Sequence, residues 1–134
     1  VLKMDVIAEI HRRLPDTHLV MHGSSSVPRE LVDIINNFGG GLKESYGVPV
    51  EAIQEGIKHG VRKINVDTDN RLAITGAIRK LFAEKPEKFD PQDYMKPARI
   101  AMAEVVKARM IAFGQAGMAD KVPTVTLEEM AKRY

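Results

Sequence analysis

Leu19-Val20-Met21-His22-Gly23-Ser24-Ser25-Ser26 is a short apolar run that stops at a histidine and continues into a glycine and three serines before Pro28. The first three residues suit a buried strand, and Gly23 permits close approach of the backbone. Ser26 is placed to cap a helix whose first turn holds Pro28. The order therefore predicts a strand, a tight loop and a helix start, where free backbone N–H groups and serine hydroxyls can bind an anion such as phosphate.

A second stretch shows the same order later in the chain. Val61-Arg62-Lys63-Ile64-Asn65-Val66 predicts a strand, and the polar run Asp67-Thr68-Asp69-Asn70 follows it, with several residues able to cap the next helix. Two strands joined through helical segments form a βαβ unit, in which the strands run parallel. Both polar runs then lie at the carboxyl ends of strands, where α/β barrels hold their sites.

The segments around the two strands have helical periodicity, with apolar residues three or four positions apart. The predicted helices run from Leu2 to Leu14, through Leu31, Ile34, Ile35 and Phe38 to Gly39, from Val48-Pro49 to Gly60, through Ile74, Ile78, Leu81 and Phe82 to before Pro86, from Pro97 to about Phe113, and from Thr126 to near Tyr134.

Two parallel strands do not make a stable sheet by themselves, because parallel sheets are normally covered on both faces and have more strands. The expected fold class is therefore α/β, with this chain as part of a barrel or sheet. In a (β/α)₈ barrel, which has about 250 residues, phosphate is often held after the seventh and eighth strands.

The composition is that of an ordinary globular protein, with 44% apolar residues, 28% charged residues and a net charge of +2. Acidic and basic residues are interleaved, so we expect no nucleic-acid partner. The absence of cysteine excludes disulfides and thiolate metal sites. With no run of about 20 apolar residues and no signal-peptide pattern, we expect a cytoplasmic protein without a membrane partner. Because the chain opens at Val1 in a helical pattern, we expect a piece of a longer protein.

His22 is the candidate metal ligand or acid/base group, and a buried core histidine is the alternative. His18 would lie about 13 Å away along the strand, too far to share a metal ion. His11 and His59 fall on helices and are expected to be structural. Any further metal ligands would have to come from outside this chain.

The polar run after the second strand has two interpretations. Asn65 can donate and accept hydrogen bonds to a substrate hydroxyl or carbonyl, or it can form a turn. Asp67, Thr68 and Asp69 can contact substrate or simply cap the following helix. Arg71 can reach an anion above the strand ends, or it can be a solvated surface residue.

Three segments resemble the C-terminal part of class II, metal-dependent fructose-1,6-bisphosphate aldolases. They are His18-Leu-Val-Met-His22-Gly-Ser-Ser-Ser-Val-Pro28, Tyr46-Gly-Val-Pro49 and Gly56-Ile-Lys-His-Gly-Val-Arg-Lys-Ile-Asn-Val-Asp-Thr-Asp-Asn-Arg71. The resemblance covers nearly the whole chain and is to the variety found in bacterial carbon fixation and glycolysis. It implies the C-terminal portion of a (β/α)₈ barrel, with the last βα units in residues 1–88 and a C-terminal helical extension or oligomer arm in residues 89–134.

The resemblance also implies an activity and its residues. The enzymes reversibly cleave fructose 1,6-bisphosphate to dihydroxyacetone phosphate and glyceraldehyde 3-phosphate, and they are homo-oligomers. His22 would be one of three histidines on a catalytic zinc ion, and Asn65 would contact the enediolate region. A monovalent cation accompanies the phosphate of dihydroxyacetone phosphate. The substrate-binding residues by this resemblance are Gly23, Ser24, Ser25, Asn65, Val66, Asp67 and Thr68, with Arg71 near the other phosphate.

Two alternatives stay open. Tagatose-1,6-bisphosphate aldolases share these motifs, so the sugar is not decided by them. The chain could also be a non-catalytic phosphate-binding or assembly module, because the catalytic aspartate and the other two zinc histidines of the family have no counterpart in it. Gln92 stands where many relatives have a basic residue, which puts anion binding by that loop in doubt.

Overall fold

A computed structural model describes residues 3–133 of the chain. The elements are α1 (Met4–Arg13), β1 (Leu19–Met21), α2 (Arg29–Asn37), α3 (Val50–Lys58), β2 (Val61–Ile64), α4 (Thr68–Glu84), α5 (Pro91–Ala112), a 3₁₀ turn (Ala119–Lys121) and α6 (Leu127–Ala131). The predicted first residue of α1, Leu2, and the predicted end of α6, Tyr134, lie outside the described residues. No helix between residues 3 and 133 is long and apolar enough to cross a membrane.

The two strands pair in parallel, which confirms the predicted βαβ unit. Leu19 is aligned with Val61 and Met21 with Ile64, and the register shifts by one residue between them. β2 is shorter than the sequence predicts, because it ends at Ile64 and not at Val66. The pairing nevertheless extends one step further, because the amide N–H of Asn65 donates to the carbonyl of Met21 at 3.0 Å. The two polar runs therefore begin side by side.

The packing has two parts. Met21, Ile53 and Val61 are buried between the strands, α1 and α3. In the second part α4 packs against both α2 and α5. Gly76 of α4 faces Ile34, and a Cβ there would lie 3.1 Å from the Ile34 side chain, so this helix pair depends on the small residue.

Two predicted helix starts are wrong. The hydroxyl of Ser26 caps no helix: it is buried without a hydrogen-bond partner, and α2 begins three residues later at Arg29. Pro97 lies inside α5 and does not begin it. The start of α5 is fixed by Asp90, whose carboxylate accepts from the backbone N–H of Gln92, and by Pro91 in the first turn. The capping box predicted at Thr126 is confirmed.

Candidate functional site

The structure brings His22 and Asn65 together at the carboxyl ends of the two strands. Nδ2 of Asn65 lies 2.9 Å from Nδ1 of His22, within hydrogen-bond distance. The side-chain oxygen of Asn65, Oδ1, accepts a hydrogen bond from the Lys63 ammonium. The Lys63 contact fixes which end of the amide faces the imidazole, since an ammonium group can only donate. The amide nitrogen of Asn65 therefore faces Nδ1 of His22.

The serine loop, residues 23–28, turns sharply after His22. Gly23 has φ +62°, a left-handed conformation that favours glycine. Ser24 is fully buried, and its hydroxyl donates only a long bond of 3.4 Å to the carbonyl of His22. The hydroxyl of Ser24 therefore faces the interior, and this residue can offer a ligand only its backbone.

Ser25 sits on the N-terminus of α4. Its hydroxyl oxygen accepts from the backbone N–H of Asp67 at 3.1 Å and of Thr68 at 3.0 Å. These N–H groups have no partner within the helix, and they carry the positive end of the helix dipole. The Ser25 hydroxyl oxygen thus occupies the position that an oxygen atom of a bound anion would take. The structure thus joins the serine loop and the second polar run in one site.

The helix-cap interpretation of the second polar run is wrong for both aspartates. Asp67 is the residue before α4, but its side chain makes no cap hydrogen bond. Its carboxylate instead pairs with Arg71, at 2.8 Å to Nη2 and 2.9 Å to Nε. Both side chains are about 70% exposed, so the pair is weak and an anionic ligand can compete for the arginine.

Asp69 has a role that the sequence analysis did not predict. Its side chain is fully buried, and it accepts four hydrogen bonds. Two come from the serine loop, from the N–H of Ser26 at 3.2 Å and of Val27 at 2.8 Å. The other two come from Nε and Nη2 of Arg109 in α5, at 3.2 and 2.9 Å. A buried carboxylate without such partners would be very costly, so Asp69 explains how the loop is held.

The carboxylate of Asp69 also explains the backbone of Val27. Val27 has φ +51°, a left-handed conformation that is rare for a β-branched residue and costs about 1–3 kcal/mol. Its N–H points at Asp69 in this conformation. The serine loop is therefore strained, and the contact from α4 stabilises it.

The Tyr46-Gly-Val-Pro49 segment supports the same loop from outside. The N–H of Val48 donates to the carbonyl of Ser25 at 3.0 Å. A Cβ on Gly47 would lie 2.3 Å from that carbonyl oxygen and 2.4 Å from the carbonyl carbon of Ser26, so no side chain fits there. The role of Gly47 in the motif is therefore close backbone approach. At the neighbouring Tyr46, a hydrogen bond to Glu44 raises the pKa of the phenol group.

Among the described residues, His22 is the one histidine that lies at the carboxyl end of a strand, beside the serine loop. Within residues 3–133 no three histidine, cysteine, aspartate or glutamate side chains are grouped so as to hold a metal ion. His11, expected on a helix surface, is instead half-buried, with its Nδ1 against Gly60. His59 lies 3.2 Å from Glu55. A metal site here would have His22 as its contribution from this chain.

A cavity of about 490 Å³ lies on the far side of the serine loop, between α2 and residues 42–49. Ser26 and Val27 line it, but none of the predicted ligand-binding residues does. The candidate site is therefore the open edge formed by the strand ends, Ser25 and the start of α4, and not this cavity.

Comparisons with known proteins agree with the motifs. The family model for "Fructose-bisphosphate aldolase class-II" matches residues 1–118. The chain is 56% identical to fructose-bisphosphate aldolase 2 of Cereibacter sphaeroides over 134 residues, all of this chain and 38% of the relative. The fructose-bisphosphate aldolases of Nostoc commune and Pseudomonas aeruginosa are each 57% identical, over 100% and 99% of this chain and 37% and 38% of their own lengths.

The chain thus spans well under half the length of these relatives. The family model matches most of the chain, residues 1–118, and ends before residues 119–134. That the chain corresponds to the C-terminal part of such a protein stays a prediction.

Proposed function

Because this chain belongs to the class II fructose-bisphosphate aldolase family, we propose that it is part of an enzyme that reversibly cleaves fructose 1,6-bisphosphate to dihydroxyacetone phosphate and glyceraldehyde 3-phosphate. The observation that carries the proposal is the contact of His22 with Asn65 beside the serine loop. This contact places three kinds of group at one edge of the sheet. They are a histidine, which is a residue type that binds metal ions, a neutral hydrogen-bonding side chain and an anion-binding loop. The rest of the protein would supply the other zinc histidines and the catalytic aspartate.

The proposed barrel accounts for the exposure of the strands. Val20, in the middle of β1, is 49% exposed, although parallel strands are normally buried on both faces. The described residues also leave both outer edges of the strand pair without a neighbouring strand. Further strands of a (β/α)₈ barrel would cover this face and these edges. In this proposal residues 1–88 contribute its last βα units, and residues 89–134 form a helical extension that takes part in a homo-oligomer.

The phosphate of dihydroxyacetone phosphate would bind at the start of α4. There a phosphate oxygen would accept from the N–H groups of Asp67 and Thr68 that Ser25 now engages, with the Ser25 hydroxyl rotated to donate to the same phosphate. The backbones of Gly23, Ser24 and Val66 would also contact this phosphate, and a monovalent cation would offset part of its charge. Arg71, freed from Asp67, would approach the second phosphate.

The residues of this chain fit one position of a zinc site. A neutral imidazole is an ordinary zinc ligand, and His22 is exposed at the strand end. A zinc ion bound through Nδ1 would take the place of the Asn65 amide at that nitrogen. Zinc bound there would act as a Lewis acid on the substrate carbonyl.

Asn65 has the central role among the residues of this chain. Its amide would donate to the substrate oxygen that becomes negatively charged when the carbon–carbon bond breaks. Lys63, bonded to the Asn65 carbonyl, holds the amide in the donating orientation and adds a positive charge nearby. Both effects stabilise the transition state more than the bound sugar, which is the requirement for catalysis.

The test is an assay of the full-length protein with zinc on fructose 1,6-bisphosphate and on tagatose 1,6-bisphosphate. We expect cleavage of the fructose sugar in the larger amount. Preferential cleavage of the tagatose sugar would change the substrate and keep the reaction. A full-length, folded protein that binds dihydroxyacetone phosphate but cleaves neither sugar would be a phosphate-binding module, and the proposal would be wrong.

A further inference from the structure

The serine loop is attached to α5 by a chain of contacts that crosses α4. The loop N–H groups of Ser26 and Val27 donate to Asp69, and Asp69 in turn accepts from Arg109, 40 residues further along. Arg109 is only 16% exposed and Asp69 is fully buried, so water competes little for these bonds. These hydrogen bonds connect the proposed phosphate site to α5, a helix that contributes no residue to that site.

Asp69 depends on Arg109 for half of its hydrogen bonds. Nε and Nη2 of Arg109 both donate to the same oxygen, Oδ2, which also accepts from the N–H of Ser26, while Oδ1 accepts from the N–H of Val27. Without the guanidinium the buried carboxylate would lose two of its four hydrogen-bond donors and would turn toward water. This change would alter its bonds to the loop backbone.

The strained backbone of Val27 makes the loop sensitive to such a change. A valine at φ +51° persists only where its surroundings hold it, and the N–H bond to Asp69 is the hydrogen bond that the structure gives to this amide. When that bond weakens, Val27 relaxes toward negative φ. The preceding residues Gly23 to Ser25, which carry the proposed phosphate contacts, would then move with it.

We propose that Arg109 is a positioning residue for phosphate binding, which acts through Asp69 on the backbone of the serine loop. The inference rests on the proposed function, because it assigns the loop to the phosphate of dihydroxyacetone phosphate. It gives α5 a part in substrate affinity in addition to its packing on α4. Arg109 itself touches no reacting atom.

The experiment compares Arg109→Met and Arg109→Lys with Arg79→Met in the full-length zinc-loaded protein. Arg79 is a matched control, because it also donates from its guanidinium across to another segment, to the carbonyl of Gly39 at 2.8 Å, but far from the serine loop. The readouts are kcat and KM for fructose 1,6-bisphosphate, Kd for dihydroxyacetone phosphate by calorimetry, zinc content and melting temperature.

For Arg109→Met we expect Kd and KM to rise about tenfold, as loss of a supporting hydrogen-bond partner commonly does, with zinc retained and kcat changed much less. Arg109→Lys keeps the charge but loses the planar fork, so its Kd should fall between those of the unsubstituted protein and Arg109→Met. Arg79→Met should leave Kd unchanged. A merely structural role would lower the melting temperature without this separation of KM from kcat.

The inference is overturned if Arg109→Met and Arg79→Met bind dihydroxyacetone phosphate equally well, or if kcat and zinc fall while Kd stays constant. Should Arg109→Met fail to fold, Arg109→Lys decides: a folded lysine variant with unchanged Kd overturns the inference. An unsubstituted protein that does not bind dihydroxyacetone phosphate would instead overturn the proposed function, together with this inference.

Discussion

Nδ2 of Asn65 lies 2.9 Å from Nδ1 of His22, although 43 residues separate the two in the chain. Parallel pairing of β1 with β2 creates this contact, because it ends both strands at the same edge of the sheet. One residue is proposed to hold the metal and the other to contact the substrate. Their different roles can be separated by substitution in the full-length protein.

Asn65→Ala is expected to lower kcat while zinc stays bound. Loss of a hydrogen bond to a developing negative charge typically costs about 100- to 1,000-fold in rate. Steady-state kinetics and metal analysis measure the two effects. Asn37→Ala, at an exposed residue of α2, is the control and should behave like the unsubstituted protein. Unchanged kcat in Asn65→Ala, or zinc lost in proportion to activity, would exclude the proposed role.

His22→Ala is expected to reduce bound zinc and activity together, because a site with three protein ligands loses one of its nitrogens. Metal content and cleavage of fructose 1,6-bisphosphate are measured on the same preparation. His59→Ala is the control, since His59 contacts Glu55 and lies on another element. Full zinc occupancy and normal turnover in His22→Ala would show that this histidine is not a ligand.

Asp69→Ala is expected to destabilise the full-length protein by about 3–5 kcal/mol, because it leaves the guanidinium of Arg109, which is only 16% exposed, without its partner. Urea unfolding measures the difference. Asp33→Ala, at an exposed position of α2, should change stability by less than about 0.5 kcal/mol. The double variant Asp69→Ala with Arg109→Met should recover part of the loss, because no unpaired buried charge remains. Equal stability of Asp69→Ala and Asp33→Ala would contradict the assignment.

Gly47→Ala is expected to distort the serine loop, because the added Cβ would lie 2.3 Å from the Ser25 carbonyl oxygen. Overpacking against backbone costs about 1–3 kcal/mol, and the loop shift should also weaken binding of dihydroxyacetone phosphate. Gly41→Ala is the matched control, since a Cβ there meets nothing within 4 Å. Thermal melting and calorimetry distinguish the two, and identical behaviour would refute the close-approach role of Gly47.

The 134-residue chain expressed alone is expected to be inactive and not to form a stable monomer. One zinc histidine without the catalytic aspartate provides neither a closed metal site nor proton transfer. Val20 and the strand edges would remain exposed and would promote association. Size-exclusion chromatography, circular dichroism and an aldolase assay check these points. A monomer with a cooperative melt would contradict the expectation that the chain forms no stable monomer. Zinc-dependent cleavage would contradict the expectation that it is inactive.

The helix starts show where sequence reasoning failed. A serine two residues before a proline has the form of a cap, but Ser26 lies in a loop whose path is set by Asp69, so α2 begins later. Pro97 has the form of a helix start, but Asp90 and Pro91 already provide one six residues earlier. The helix continues through Pro97, although this residue has no N–H to donate within it. In each case a stronger signal elsewhere overrode a plausible local one.

The sequence by itself determined the parallel βαβ unit and the two polar runs at its strand ends, because apolar runs that stop at turn residues are local signals. It also determined the family. Only the tertiary structure decided what Asp69 does. In the sequence it is one of two aspartates before a helix, whereas in the fold it joins Ser26, Val27 and Arg109, each 40 or more residues away. Hydrogen bonds over such separations depend on how helices and strands pack, which no local pattern of residues encodes.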